Sequence, residues 1–331
     1  MRRITAMLLL ALIACNQSAR PVWRWKLQSR CYADPLIDGR TVYVVSAAGE
    51  VIAGESGSGN RIWSQKLAGS IVATPAVSDR MLFTATQQAD VFALDKKSGK
   101  QLWRKQFSGE GVEAPLVVIN DQLLVPSDKG TIYALSVEDG TVRWSFAGNR
   151  KYNAAPIWSG SQIFIGGWGG KFLCLSADGK LHWEFAARER ITENALLHKN
   201  RVFVSTDNRF VYAFDAPSGK FLWRFQTADP TNIIVINNEL IFGSESSLII
   251  VRPEDGALLR KVDIGKRVNR IYSNGTACLV VADKVYRVNP SSGKVSAIDL
   301  PPGELPFKLA WSPDALVITN QLFSVLAVTE D

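Results

Sequence analysis

The stretch from Ala93 to Trp103 ends one apolar run, turns at Asp95, Ser98 and Gly99, and opens the next run on a tryptophan. Asp and Ser side chains satisfy backbone amides in a tight turn, and Gly supplies a positive φ. The pattern recurs with Trp63, Trp144, Trp183 and Trp223, and in eroded form with Arg260 and Ala297 at the tryptophan position. Successive positions lie 40, 41, 39, 40, 37 and 37 residues apart. A fixed period of this length constrains the fold more than any local signal. Each unit is one supersecondary element that can bury its apolar face only against its neighbours.

Within one period the contents repeat as well. Ala114 to Val118 is an apolar run, followed by a turn at Asn120 and Asp121 and a second run from Leu123 to Val125. A polar hairpin from Ser127 to Gly130 leads to a third run, Ile132 to Leu135, and the Gly-Trp turn leads to a fourth. Four short β-branched and aromatic runs, split by Gly, Asn and Asp, predict one four-stranded β-propeller blade per repeat. Helical repeats need longer runs at a 3.6-residue period, which are missing here.

The tryptophan positions also set the number of blades. Trp23 stands 40 residues before Trp63, in register as a fourth strand, with no first three strands before it. At the other end, runs from Phe307 to Trp311, Ala315 to Thr319 and Leu322 to Val328 supply three strands, and a fourth would fall past Asp331. The orphan strand fits the gap. The expectation is an all-β, eight-bladed propeller whose ring is closed by the N-terminal strand on the C-terminal three, which removes two open sheet edges.

Composition agrees with a core shared between blades: 47% of residues are hydrophobic. Each repeat tryptophan brings ~150–250 Å² of surface to bury, so the series is read as inter-blade packing. The formal charge is +7, falling to +5 once Arg2 and Arg3 leave with a leader, and no like-charged block appears, so nucleic acid is not an expected partner. Cys31, Cys174 and Cys278 map to distant places around the ring, so no disulfide is expected. Two histidines and no CxxC spacing give no metal site.

The N-terminus carries a separate signal. Arg2 and Arg3 precede an apolar run from Ile4 to Ala14, about half the length of a membrane span, which is the form of a signal-peptide core. Leu12 to Cys15 then resembles the lipobox of bacterial lipoproteins, in which the signal is cut before the cysteine and the cysteine is acylated. The expected organisation is a signal peptide over 1–14, lipidated Cys15 with a tether over 15–21, and one propeller over 22–331. In enterobacterial lipoproteins Asp after the cysteine favours inner-membrane retention. Asn16 therefore implies the outer membrane, with the protein held on its periplasmic face.

With the Ala-x-Asp-x-x-Ser-Gly-Lys-x-x-Trp pattern in hand, the repeats resemble the PQQ-like (quinoprotein) propeller repeat from Trp23 to Val328, most specifically at Ala93–Trp103 and Ala213–Trp223. One branch of that family holds PQQ-dependent dehydrogenases, which are longer and carry adjacent cysteines over the cofactor and a Ca²⁺ site. No two cysteines are adjacent here. The other branch includes the BamB type, eight-bladed lipoproteins that support the β-barrel assembly machine. The resemblance therefore implies a non-catalytic, membrane-anchored scaffold with no cofactor. It would work as a monomer inside a protein complex, its partner the outer-membrane β-barrel assembly machinery. Two alternatives stand beside it: a PQQ-binding enzyme, and a periplasmic ligand-binding propeller unrelated to barrel assembly.

Propeller topology places the loops between blades and the second-to-third hairpins on one face. Arg30, Glu110, Arg150, Lys151, Arg188, Arg190, Lys266, Arg267 and Arg270 fall in the first set, which predicts an electropositive mouth. Trp168 sits at a hairpin tip among Gly166, Gly167, Gly169 and Gly170. It reads either as an interface anchor on a flexible loop or as a plug over the channel. The candidate partner-binding residues are Trp168, Arg150, Lys151, Arg188, Arg190 and Arg267.

Overall fold

The computed structural model describes residues 21–328, apart from 149, 208 and 322, so Cys15 and its leader lie outside the described residues. The described chain forms eight four-stranded antiparallel sheets. Numbered by residue, blades 1 to 8 span 36–66, 76–106, 117–147, 157–186, 196–226, 230–263, 270–298, and 306–328 with 21–26. Seven blades are built from four consecutive strands. The eighth is composite: Pro21–Lys26 pairs antiparallel with Ser324–Val328, placing Trp23 opposite Ala327 and Trp25 opposite Val325. The ring closure expected from Trp23 is therefore present.

Strand alternation explains why the blades need one another. Along the second strand of blade 1, Val42 and Val44 face blade 8, while Tyr43 and Val45 face blade 2. Both sides are apolar, so neither side of a blade can be left to solvent. Eight apolar clusters result, one between each neighbouring pair of blades around the ring.

The repeat tryptophans latch these interfaces. The indole N–H of Trp23, Trp63, Trp103, Trp144, Trp183 and Trp223 donates to the carbonyl of Ser56, Lys96, Val137, Ala177, Ala216 and Pro253 respectively, at 2.7–3.0 Å. Each acceptor lies in the turn of the next blade. Where the sequence substitutes Arg260, its Nε donates to Pro290 at 3.1 Å and the latch survives in a different chemistry. The guanidinium also pairs with Glu239.

The fourth strand of each blade is outermost, and its last residue leads into the loop that starts the next blade. In blade 8 this outer strand begins at Pro21 and ends at Lys26. Lys26 leads to the inter-blade loops, so Pro21 lies at the opposite face, ~17 Å away along the strand. Pro21 therefore lies on the face remote from the inter-blade loops.

Candidate functional site

The loop face carries two groups of polar side chains. The first fills the centre. Tyr272 and Arg270, from the innermost strand of blade 7, meet Asp34, from the loop entering blade 1. The Tyr272 hydroxyl donates to Asp34 Oδ1 at 2.9 Å, and Arg270 lies 3.8 Å from Asp34 and 3.7 Å from Glu193. Lys308, from the innermost strand of blade 8, reaches Asp34 at 3.6 Å. Blades 1 and 5 stand opposite each other, so Asp34 and Glu193 meet across the channel through Arg270.

Burial works on these groups unevenly. It opposes the Arg270 charge, but Asp34, Tyr272 and Glu193 outweigh it and hold the guanidinium above its ordinary range. Burial, then the Asp34 charge, pushes the Tyr272 phenol well up. Burial, then Arg270, pulls Lys308 down. Arg270 is thus the fixed charge of the cluster.

The second group forms an arc over blades 2 to 5. Gln87 donates to Glu113 Oε1 at 3.1 Å, and Lys151 donates to Glu113 Oε2 at 2.6 Å. The Lys151 ammonium stands 5.0 Å from the centre of the Trp168 ring, and the Arg190 guanidinium stands 5.1 Å from it. Arg190 pairs in turn with Asp207 at 3.1 Å. Two cations at these distances polarise toward the ring faces. The Trp168 side chain is 40% exposed. It is an exposed residue in a charged clasp, and the side chains filling the channel are those of the other group.

The glycines around Trp168 serve close approach. A Cβ on Gly166 would lie 2.2 Å from Ile191, and one on Gly170 would lie 2.6 Å from the Glu189 carbonyl. The Trp168 amide donates to the Lys151 carbonyl at 2.9 Å, and Tyr152 bridges to Gly167. The hairpin is docked on loops from both sides, in place of the flexible tip expected from its composition. Beside it lies a cavity of about 360 Å³ lined by Gly148, Arg150, Tyr152, Gly167, Gly169 and Lys171. A second cavity, of about 380 Å³ between blades 5 and 6, is acidic, with Glu193, Asp207, Asp229 and Glu245 around Arg267.

The electropositive mouth expected from the loops is a mosaic of cations and carboxylates. Of its eight cations, Lys151, Arg190, Lys266, Arg267 and Arg270 each lie within 4.0 Å of a carboxylate, Arg267 at 3.3 Å from Asp229. The loops supply cations, and the facing hairpins and loops supply their partners. Arg150 and Arg188 are exposed, Arg188 on a turn with φ 67°. Lys308 and Tyr272 escaped the sequence reading; a lysine inside the apolar run Pro306–Trp311 was the available signal. The free, buried state of Cys31, Cys174 and Cys278 agrees with the spacing argument.

A PQQ-type quinone is a planar polycarboxylate, and a chamber for it needs cations that can turn to its carboxylates. Both channel cations here face Asp34, Arg270 at 3.8 Å and Lys308 at 3.6 Å, and Arg270 also faces Glu193 at 3.7 Å. These residues do not fit that group. Among the described residues, no three His, Cys, Asp or Glu side chains converge as metal ligands.

A family model described as "Outer membrane protein assembly factor BamB" matches residues 11–70, 47–161 and 148–322. The chain belongs to the BamB family. The crystal structure of BamB from Moraxella catarrhalis superposes with a TM-score of 0.81 at 17% identity, covering 94% of this chain and 98% of that one. The crystal structure of the computationally designed Ika8 protein superposes with a TM-score of 0.79 at 12% identity, covering 92% of this chain and 98% of that one. At such identities the likeness to BamB and to Ika8 is one of fold. No curated protein sequence matches the chain.

Proposed function

We propose that the chain is a non-catalytic scaffold, lipid-anchored through Cys15 on the periplasmic side of the outer membrane. On this reading residues 1–14 are a cleaved signal peptide, and the disc holds a protein of the β-barrel assembly machinery on its loop face. The observation that carries the reading is family membership across the length of the chain, joined to the exposed Trp168 clasp on that face. An aromatic held between cations is a preformed anchor of the kind that dominates binding energy at interfaces. Pro21 begins the outermost strand at the other face. With a tether of about six residues, ~20 Å at full stretch, the clasp points away from the attachment point and toward periplasmic protein.

The test is photo-crosslinking in cells from a reactive group placed at Arg188 or Arg150, beside Trp168. Recovery of the barrel-assembly core supports the reading, and labelling that repeatedly recovers other proteins or none rejects it. Cys15→Ser should abolish acyl labelling and release the protein from membranes. Retention in the membrane fraction after that substitution would refute the anchor.

A further inference from the structure

The eight outer strands present their free N–H and C=O groups to solvent, and such edges pair with other chains unless they are guarded. Seven are guarded twice. Each breaks its pairing register just before the Trp or Arg of the repeat. Each also carries at least one charged side chain, such as Arg61, Arg104, Arg143, Glu184, Arg224, Lys261 or Arg24. The outer strand of blade 7, Val295–Ile298, has neither guard. It reads Val-Ser-Ala-Ile and pairs regularly with Val285–Val288, from Val285 opposite Ile298 to Val288 opposite Val295. Its exposed side chains are Ser296 and Ala297, too small to cover the backbone.

We propose that this edge receives an extended segment of another polypeptide, which adds to blade 7 as a fifth strand. Four residues offer on the order of four outward backbone hydrogen bonds, because alternate residues point outward. Charge around the edge selects an acidic segment. Lys294 is exposed at its start. On blade 8, Trp25 packs toward blade 1, so Lys26, next to it in the strand, faces blade 7 beside the end of the edge, and it is exposed. The acids near that end are already matched: Asp299 by Lys284 at 3.5 Å, Asp283 by Lys266 at 3.8 Å, and Glu304, which shares a pocket with Lys26, by Arg24. A second copy of the disc is a poor occupant. The rim is convex, and two four-residue edges meeting there bury far less than the ~800 Å² per partner of a stable dimer. A single strand with alternating apolar and acidic residues lies along the edge without that limit. The site is on the rim of blade 7 and does not depend on the barrel-assembly reading of the loop face.

The test uses the propeller with a fluorescent peptide of about ten residues alternating valine and glutamate, and a valine–lysine peptide as control. The glutamate peptide should bind and slow amide exchange at residues 295–298. Ser296→Lys and Ala297→Pro should each weaken binding about tenfold or more. Ser145→Lys, on the guarded edge of blade 3, should leave it unchanged. Equal binding of both peptides, protection on another blade, or binding indifferent to Ser296→Lys overturns the proposal. So does sedimentation showing that the protein alone dimerises and that Ser296→Lys abolishes the dimer.

Discussion

Gly99 lies flat against the indole of Trp63: a Cβ on it would come within 2.5 Å of the ring carbon Cε3. The same turn glycine meets the tryptophan of the preceding blade at Gly140, Gly179, Gly219 and Gly256. The repeat signature thus encodes a contact between blades as well as a turn. The glycine leaves room for the ring, and the ring donates its N–H into the turn that the glycine closes.

That contact separates two costs of losing a glycine. Gly99 has φ 71° and no space, whereas Gly39 has φ 58° and nothing within 4 Å of a Cβ. Gly39→Ala should cost ~1 kcal/mol from backbone strain alone. Gly99→Ala should cost ~2–4 kcal/mol, since overpacking is added. Urea denaturation of both variants measures the difference. Equal losses would show that the indole yields.

The latch can be divided in the same way. Trp103 donates to Val137 at 2.9 Å while packing between blades 2 and 3. Trp103→Phe removes the bond and keeps most of the packing, for ~1 kcal/mol. Trp103→Ala removes both, for ~3–5 kcal/mol. Thermal denaturation of the pair should show this order.

In the channel, Asp34 accepts from Tyr272 and faces Arg270 and Lys308. Asp34→Ala takes the acceptor from the Tyr272 phenol and the paired carboxylate from Lys308, and leaves Arg270 with Glu193 alone. The expected loss is ~3 kcal/mol, within the range for breaking a sheltered ionic cluster from one side. Replacing Asp34 without a change in the denaturation midpoint would show that the cluster is solvated.

Trp168 should behave otherwise. It is exposed, and its hairpin is docked by backbone contacts. Trp168→Ala should leave stability within ~1 kcal/mol and weaken partner capture. A large stability loss with unchanged capture would reassign it to packing.

Alkaline pH should unfold the propeller through its cysteines. Burial pushes Cys31, Cys174 and Cys278 from 9.0 up to about 12. Below pH 9 the thiols are protonated in both states, and the preference of the core for the neutral form is fully kept. Above it the unfolded chain sheds protons that the folded chain retains, so stability falls up to about pH 12, by ~1.4 kcal/mol per thiol per pH unit. Tyr43, pushed from 10.0 to about 12 by burial and then Asp38, adds to the loss. Lys308, depressed from 10.5 by burial and then Arg270, opposes it. Denaturation midpoints between pH 8 and 11 should fall, and replacing the three cysteines with alanine should flatten the slope.

Much of this architecture was legible beforehand because it is written as local periodicity. Glycine turns, tryptophan intervals and strand alternation act within one repeat, and a repeat closes only against copies of itself. Even Trp23, stranded before the first complete blade, followed from counting. Where the chain departs from the repeat, the reading thinned. Arg260 looked like an eroded tryptophan, and only its geometry toward Pro290 shows the latch retained. Trp168 looked flexible among glycines that in fact admit Ile191 and the Glu189 carbonyl at close range.

The order of residues alone determined the blade, the number of blades and the composite eighth, because each rests on short-range turn and strand chemistry repeated at a constant interval. The folded ring decided which charges meet. Asp34 and Tyr272 are 238 residues apart in the chain and 2.9 Å apart in space. Such pairings depend on which loops converge over the channel and how far each side chain reaches, and no local pattern carries that information.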